Sequence, residues 1–277
     1  MELPWELGPA DGRYLLRRLQ GSEQGEPERV VVLNTVGATR RGGFGRRSRT
    51  RGTDTRPAPV PIARATVVDP VSLSSASQAK TWLRELDPEL EAHAAAAMLN
   101  RVLHSQRIAA AQTYTHEVSP AHALTIRAGY GEGEQVADGL WLDARELVLS
   151  RKRMLRRSSV LRPQERLALL LSGRDRALMC EELTLRARAD LDGGRIALAA
   201  LGLERAYAAA LVELAGEQRA DLARRVQELA RLSLGVEELA TVALGGEHEL
   251  DEALLRQALE RLEAALRART APGFTVR

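Results

Sequence analysis

The hydrophobic positions among the first 70 residues follow the pattern of short β-strands. Residues 14–19 mix apolar and basic side chains, whereas residues 29–36 form a nearly continuous β-branched run. Such a run is typical of a strand that is buried on both faces. The polar residues 21–27 predict a turn between these two strands, so that residues 13–36 form a β-hairpin. A further strand is predicted at 63–68.

Two helices are predicted after these strands. The segment Ser75–Gln78 has the form of a capping box. Asp87, Pro88 and Glu89 then combine an N-cap residue, a proline at the first helical position and an acid in the first turn. We expect the second helix to reach the neighbourhood of Ala111. Its predicted apolar face consists of Leu90, Ala94, Ala97, Met98, Val102 and Ala109.

The pattern between 123 and 149 is less regular. Residues 123–128 alternate as in a half-exposed strand, and the glycine-rich residues 129–133 are expected to end that strand in a tight turn. Residues 135–149 fit two interpretations, a strand near 140–142 or a helix that begins at Asp143.

From Pro163 onward the pattern is helical. The predicted breaks lie near residues 172–173, 192–194, 216, 235 and 245–246, and leave helices of ordinary length. The segment Ala187–Arg195 resembles the helix-turn-helix junction of a tetratricopeptide-type repeat, and the resemblance implies an antiparallel helix pair at about 175–214.

These elements predict an α+β protein. A small mixed β-sheet with packed helices forms the N-terminal half, and an antiparallel, all-helical part follows it. The predicted organisation is an α+β domain at 1–150 with a disordered Arg/Gly/Pro-rich insertion at 37–62, a basic linker at 151–163, a helical domain at 164–270 and a tail at 271–277.

Positive charge is concentrated in two short segments. Residues 40–56 contain seven arginines and one acid, and residues 151–163 contain five arginines, one lysine and no acid, so each segment carries a net charge of +6. Because the whole chain carries only +3, the remaining residues carry −9. Such a separation of charge favours binding of a polyanion. Two other interpretations stay open, solvated loops and docking of the basic segments on the acidic remainder.

The partner predicted for these segments is a nucleic acid, DNA or RNA, or another polyanion. The guanidinium group of arginine matches a phosphate with two parallel hydrogen bonds. The run of residues 40–47 resembles arginine-glycine-rich RNA-binding segments, and the resemblance implies that Phe44 stacks on a base. The residues predicted to bind the polyanion are Arg40, Arg41, Arg46, Arg47, Arg49, Arg51, Arg151, Lys152, Arg153, Arg156 and Arg157.

Other candidate chemistry is sparse. The carboxylates Glu132, Glu134 and Asp138 are weak candidates for holding a divalent cation or for acid–base catalysis. His116 and His122 flank Ser119–Pro120 and could converge. We nevertheless predict no cofactor, no metal and no catalytic residue. The single cysteine, Cys180, is expected to be a buried and inert thiol.

The sequence therefore predicts a non-enzymatic binding or scaffold protein that contacts a polyanion. The first alternative is a module for protein–protein interaction or self-assembly through the C-terminal helices, and the second is a metal-dependent enzyme that uses the carboxylates of residues 132–143. One cysteine, no long apolar run and no signal-peptide pattern at the first residues predict a soluble cytoplasmic protein without membrane contact.

Overall fold

A computed structural model describes residues 1–5, 7–17, 28–37, 60–149, 163–216, 219–246 and 250–270. The chain divides into two compact units, residues 1–149 and residues 150–277. Each unit has hydrophobic clusters of its own. The predicted α+β class is confirmed, because an antiparallel sheet with helices is followed by packed helices.

The N-terminal unit is built on a four-stranded antiparallel sheet in the order β1-β4-β3-β2. The predicted hairpin is confirmed, since β2 pairs with β3 from Gly12–Leu33 to Leu16–Arg29. Val31, Val32 and Leu33 are consecutive and all buried, which confirms a strand covered on both faces. The strands are β1 (Glu2–Leu3), β2 (Gly12–Leu16), β3 (Arg29–Val36) and β4 (Ile62–Val68).

Two helices follow, α1 (Ala76–Glu85) and α2 (Pro88–Ala109). Both begin where their capping residues predicted. The Ser75 hydroxyl accepts a hydrogen bond from the Gln78 amide, and the Asp87 carboxylate accepts bonds from the first amides of α2. These side chains satisfy amide groups that have no partner within the helix.

The face of α2 that packs on the sheet differs from the predicted one except at Val102, which is buried as predicted. Leu90 and Ala94 are exposed, and the buried positions are Ala92, Ala96, Leu99, Val102 and Leu103. Alanine occupies positions 92 and 94–97 of α2. Apolar residues therefore lie on several faces of the helix there, and the helical period does not single out one buried face. Leu99 and Leu103 bury the most apolar area against Val31 and Leu33, and thereby decide which phase faces the core.

A second, two-stranded sheet consists of β5 (Arg127–Tyr130) and β6 (Asp143–Glu146). Neither interpretation of the ambiguous stretch is right, because residues 140–142 lie outside any strand and a strand, not a helix, begins at Asp143. The predicted glycine turn is wrong in part, because Gly129 lies within β5. A Cβ atom there would come 2.7 Å from the Asp143 carbonyl and 2.7 Å from the Trp141 ring, so close packing requires this glycine. Among the three glycines of the predicted turn at 129–133, Gly133 is the one with a positive φ.

The C-terminal unit contains the helices α3 (Pro163–Leu171), α4 (Met179–Asp192), α5 (Ile196–Glu213), α6 (Ala220–Leu244) and α7 (Glu252–Thr270). Consecutive helices from α4 to α7 pack on one another. The turn at Gly193–Gly194 joins α4 to α5, as the resemblance of this stretch implied. The break predicted near Gly235 is wrong, because this glycine lies inside α6 with Leu254 against it.

The core of the C-terminal unit consists of leucine and alanine around one aromatic residue, Tyr207. The Tyr207 hydroxyl donates a 2.8 Å hydrogen bond to the Ala258 carbonyl, so the buried polar atom has a partner. None of the helices within the described ranges is long and apolar enough to cross a bilayer.

Candidate functional site

The predicted polyanion-binding residues lie outside the described residues. This holds for the basic residues of 40–51, for Phe44 and for the basic residues of 151–157. Their role stays a prediction. The predicted insertion at 37–62 and the predicted linker at 151–163 fall largely on the same parts of the chain.

The structure does describe the residues on either side of the first arginine-rich segment. Strands β3 and β4 flank it, and their last pair of residues is Val36 with Ile62. Beyond this pair, Gly37 adopts φ of +81°, and a Cβ atom on it would lie 3.3 Å from the Val60 carbonyl. Gly37 and Val60, which flank residues 38–59, therefore lie close together at one end of the sheet.

A shallow cleft of about 550 Å³ opens in the same unit. Its position follows from β1, in which Leu3 pairs with Ala63, one residue away from Ile62. The chain then continues to Trp5, which enters the lining of the cleft at this end of the sheet. The residues that line the cleft are Trp5, Leu7, Gly8, Ala111, Gln112, Thr113, Tyr114, Thr115 and His116.

Two aromatic rings of the cleft are open to solvent. Tyr114 is 85% exposed and Trp5 is 40% exposed, whereas Leu7 is buried beside them. Aromatic residues make up only 3% of the chain, so two exposed rings in one cleft are a notable use of a scarce residue type. The sequence analysis missed this site. The signal for it was the presence of Trp5 and Tyr114 in polar segments outside every predicted strand and helix.

The segment that carries Tyr114 is held at both of its ends. At the end of α2, Ala111 has φ of +49° and the Gln112 amide donates to the Arg107 carbonyl at 2.9 Å, which is the hydrogen bond of a Schellman motif. After the cleft, the Asn100 side chain donates to the Val118 carbonyl at 2.9 Å and accepts from the Val118 amide at 2.8 Å.

The two histidines expected to converge both lie near Trp5. His116 lines the cleft with it, and the His122 ring packs edge-on against it with ring centroids 5.7 Å apart. The His122 Nδ1 atom accepts a hydrogen bond from the Ser119 amide at 3.2 Å, so one ring nitrogen has a structural role.

The acidic loop between β5 and β6 contacts the large sheet through Glu134 and Arg13. Val32 and Thr66 form a pair whose side chains point away from α2, yet both are buried. Glu134 pairs with Arg13 at 3.1 Å, and both side chains are well exposed.

Across the described residues, no three side chains of His, Cys, Asp or Glu are grouped so that they could hold a metal ion.

An ionic network in the C-terminal unit fastens α3 to α4 and α7. Arg166 donates two bonds of 2.7 Å to the Glu181 carboxylate and one of 3.3 Å to Asp175. Arg269 contacts the same two acids at 3.5 and 3.9 Å. Burial opposes the charge on Arg166, but the hydrogen bonds and the charges of both acids outweigh it and raise the pKa of this guanidinium.

Cys180 lies at the start of α4 and is fully buried, as predicted. Burial, with the nearby Glu213 carboxylate, raises the pKa of its thiol to about 12. A thiol with this pKa stays protonated near neutral pH and is a poor nucleophile. Glu213 accepts hydrogen bonds from the Met179 and Cys180 amides at 3.0 and 2.9 Å, and thus caps α4 from the end of α5.

Among the described residues, the N-terminal unit presents a cleft with two exposed rings. Comparison of this chain with models of protein families, with curated proteins and with solved structures found no match.

Proposed function

We propose that this protein binds a polyanion, namely a nucleic acid, through its two arginine-rich segments, and that it has no catalytic activity. The observation that carries the proposal is the placement of charge. Two segments of 17 and 13 residues carry +12 together, while the rest of the chain carries −9. Sheet pairing at Val36–Ile62 and the close approach of Gly37 to Val60 bring the residues that flank the first segment together at one end of the sheet.

The mode of binding follows from the chemistry of arginine. Guanidinium groups contact phosphates, which are the same in every sequence, so discrimination between sequences should be weak. Each phosphate contact releases counterions, so affinity should fall steeply as salt rises. We expect the protein to act in the cytoplasm. A chain with one cysteine cannot form a disulfide within itself, and disulfides are rare in that reducing compartment.

A fluorescence-polarisation titration tests this proposal. Labelled single-stranded DNA and RNA of mixed sequence are titrated with protein at low salt. The test variant replaces Arg46, Arg47, Arg49 and Arg51 with Gln, and the control variant makes the same change of charge on the helical unit at Arg205, Arg224, Arg231 and Arg256.

The proposal predicts that the control binds as the wild type does and that the test variant binds at least tenfold more weakly. Absence of binding by the wild type, or an equal loss in both variants, would contradict it.

A second candidate function is self-assembly through the helical unit. Helix α3 has no buried residue, although its last five positions are apolar. Leu167, Leu169 and Leu171 are all exposed, and exposed apolar patches often mark interaction sites. Size-exclusion chromatography coupled to light scattering, at low and at high salt, measures the oligomeric state of the protein. A dimer that dissociates when Leu167 and Leu171 become Gln would support self-assembly, and a monomer at every concentration would exclude it.

A further inference from the structure

We propose that α3 is a detachable strap, which unfolds and leaves the helical unit while α4 to α7 stay packed. The ion pairs of Arg166 set how often this strap opens. The device belongs to the C-terminal unit alone, and it does not depend on the polyanion binding proposed above.

Hydrophobic burial gives α3 little support. None of its nine residues, all within the described ranges, is buried or belongs to the hydrophobic cluster that α4 to α7 share. Only Arg166 and Leu170, one turn apart, are half-buried, so they mark the side of α3 that faces the unit. Most helical stability in proteins comes from packing of an apolar face, and α3 lacks this contribution.

The short length of α3 makes the helix depend on its attachment. Isolated helices of fewer than about 12 to 15 residues are marginal in water, because the first turn is costly to form. Residues 163–171 are below this limit. We therefore expect α3 to unfold whenever the contacts that attach it to the unit break.

The guanidinium group of Arg166 provides such a contact. Its Nη2 atom donates two bonds of 2.7 Å to the Glu181 carboxylate of α4, and its Nε atom donates one of 3.3 Å to Asp175. The Glu181 side chain is only 12% exposed. Charge-assisted hydrogen bonds are about twice as strong as neutral ones, so this one side chain contributes much of the attachment.

The start of α4 keeps its partners when Arg166 leaves. Arg269 of α7 contacts Glu181 at 3.5 Å and Asp175 at 3.9 Å, so both acids retain a cation. The Glu181 carboxylate also accepts a hydrogen bond from the Leu178 amide at 3.0 Å. The opening of α3 therefore need not disturb the helices that follow it.

The connection between α3 and α4 has the properties of a hinge. Residues 172–178 form no helix or strand, and Gly173 among them adopts φ of +69°. Hinges are usually a few loop positions that absorb a large change of φ and ψ. Leu178, at the far end of the connection, is buried in the hydrophobic cluster and fixes the point at which the strap is attached.

Native-state hydrogen exchange followed by mass spectrometry tests this device in the full-length protein. The exchange rates of the amides report the opening of each helix separately. The proteins are the wild type, Arg166→Gln, Arg186→Gln and Val236→Ala. Arg186→Gln is the matched control, which removes an exposed ion pair with Glu182 within α4, and Val236→Ala weakens the buried core at α6.

We expect the amides of α3 in the wild type to exchange about a hundredfold faster than those of α5 and α6, relative to their intrinsic rates. Arg166→Gln should speed the exchange of α3 by about tenfold and leave α5 to α7 unchanged. Val236→Ala should speed the exchange of α5 to α7 by about tenfold and leave α3 unchanged, because α3 opens without the core. Arg186→Gln should leave α3 as it is in the wild type.

Equal protection of α3, α5 and α6 in the wild type would overturn this inference. An equal acceleration of all helices in Arg166→Gln would also overturn it, since Arg166 would then support the whole unit. So would a Val236→Ala variant in which α3 accelerates as much as α5, or an Arg186→Gln variant that affects α3 as much as Arg166→Gln does.

Discussion

The side-chain amide of Asn100 pairs with the backbone of Val118 in both directions, donating to its carbonyl at 2.9 Å and accepting from its amide at 2.8 Å. Asn100 lies in α2, and Val118 follows the segment that lines the cleft. Because Val118 is buried, its backbone groups have little access to water and depend on this partner.

Asn100→Ala should therefore destabilise the N-terminal unit. The substitution leaves a buried amide and a buried carbonyl without partners, which lowers the free energy of unfolding by about 2 kcal/mol. Urea denaturation followed by tryptophan fluorescence measures this unit, since Trp5, Trp82 and Trp141 all belong to it. Ser105→Ala is the control on the same helix, where the lost hydroxyl is exposed and the expected change is below about 0.5 kcal/mol. Equal effects of the two substitutions would contradict this account.

Gly129 should not tolerate even one methyl group. Gly129→Ala places a carbon 2.7 Å from the Asp143 carbonyl and from the Trp141 ring, so strand β6 must move. We expect a loss of about 1 to 3 kcal/mol in the stability of the N-terminal unit and a shift in the Trp141 emission. Gly12→Ala, within β2, meets nothing within 4 Å and should be nearly neutral. If Gly129→Ala were as mild as the control, the described packing of β5 on β6 would be wrong.

The Glu213 cap should make the stability of the helical unit depend on pH. Burial raises the pKa of this carboxyl, but the hydrogen bonds from the Cys180 and Met179 amides outweigh it and leave the pKa below its ordinary value of 4.5. A carboxylate with a lowered pKa contributes stability above pH 4.5, and this contribution is lost as the pH falls through the folded-state pKa. Asp175 shows a lowered pKa as well, so Glu213 accounts for only part of the acid sensitivity.

Glu213→Gln should remove the part of the acid sensitivity that Glu213 contributes. The neutral amide offers one acceptor atom in place of two and no charge, so stability at pH 7 should fall by about 1 to 3 kcal/mol, and the decline below pH 4.5 should become shallower. Thermal unfolding followed by circular dichroism at 222 nm, from pH 3 to pH 7, measures both effects. Glu238→Gln, on the exposed side of α6, should leave the profile unchanged. A profile for Glu213→Gln that matches the wild type would refute the capping role.

The geometry of Arg166 predicts that lysine cannot replace it. Arg166 contacts both oxygens of Glu181 with Nη2 and contacts Asp175 with Nε. Arg166→Lys keeps the charge but has one nitrogen in place of these two, so we expect a loss of about 1 to 2 kcal/mol in the helical unit. The control is Arg186→Lys, whose partner Glu182 is exposed and lies four residues earlier on α4. That pair should contribute less than about 0.5 kcal/mol. Chemical denaturation followed by circular dichroism compares the two variants. Equal losses in the free energy of unfolding would contradict a special role for the guanidinium group of Arg166.

Strands β2 to β4 and the starts of α1 and α2 could be predicted because their determinants are local, whereas β1 was missed and β5 lies at 127–130 instead of 123–128. The β-branched run at 29–36 and the caps at Ser75 and Asp87 act on neighbouring residues, and the structure places these elements where the pattern indicated. The buried face of α2 could not be predicted, because alanines satisfied several helical phases and the choice depended on distant strands. The same holds for Gly129, whose requirement arises from contact with Trp141 across a hairpin.

The cleft could not be predicted either. Its lining joins Trp5, Leu7 and Gly8 to residues 111–116, and the pairing of β1 with β4 and the end of α2 determine where those stretches lie. The charge of the arginine-rich segments, by contrast, follows directly from composition. The contacts of these arginines stay a prediction, because a sequence shows how much charge a segment carries but not which molecule binds to it.

The dependence of oligonucleotide affinity on salt tests the central claim most directly. The claim predicts that the logarithm of the affinity of the wild type for oligo-dT falls linearly with the logarithm of the salt concentration. It also predicts that the slope becomes shallower by about 0.7 for every phosphate contact removed when arginines of residues 40–51 become Gln. A slope near zero for the wild type, or one that the substitutions leave unchanged, would show that these arginines do not hold a polyanion.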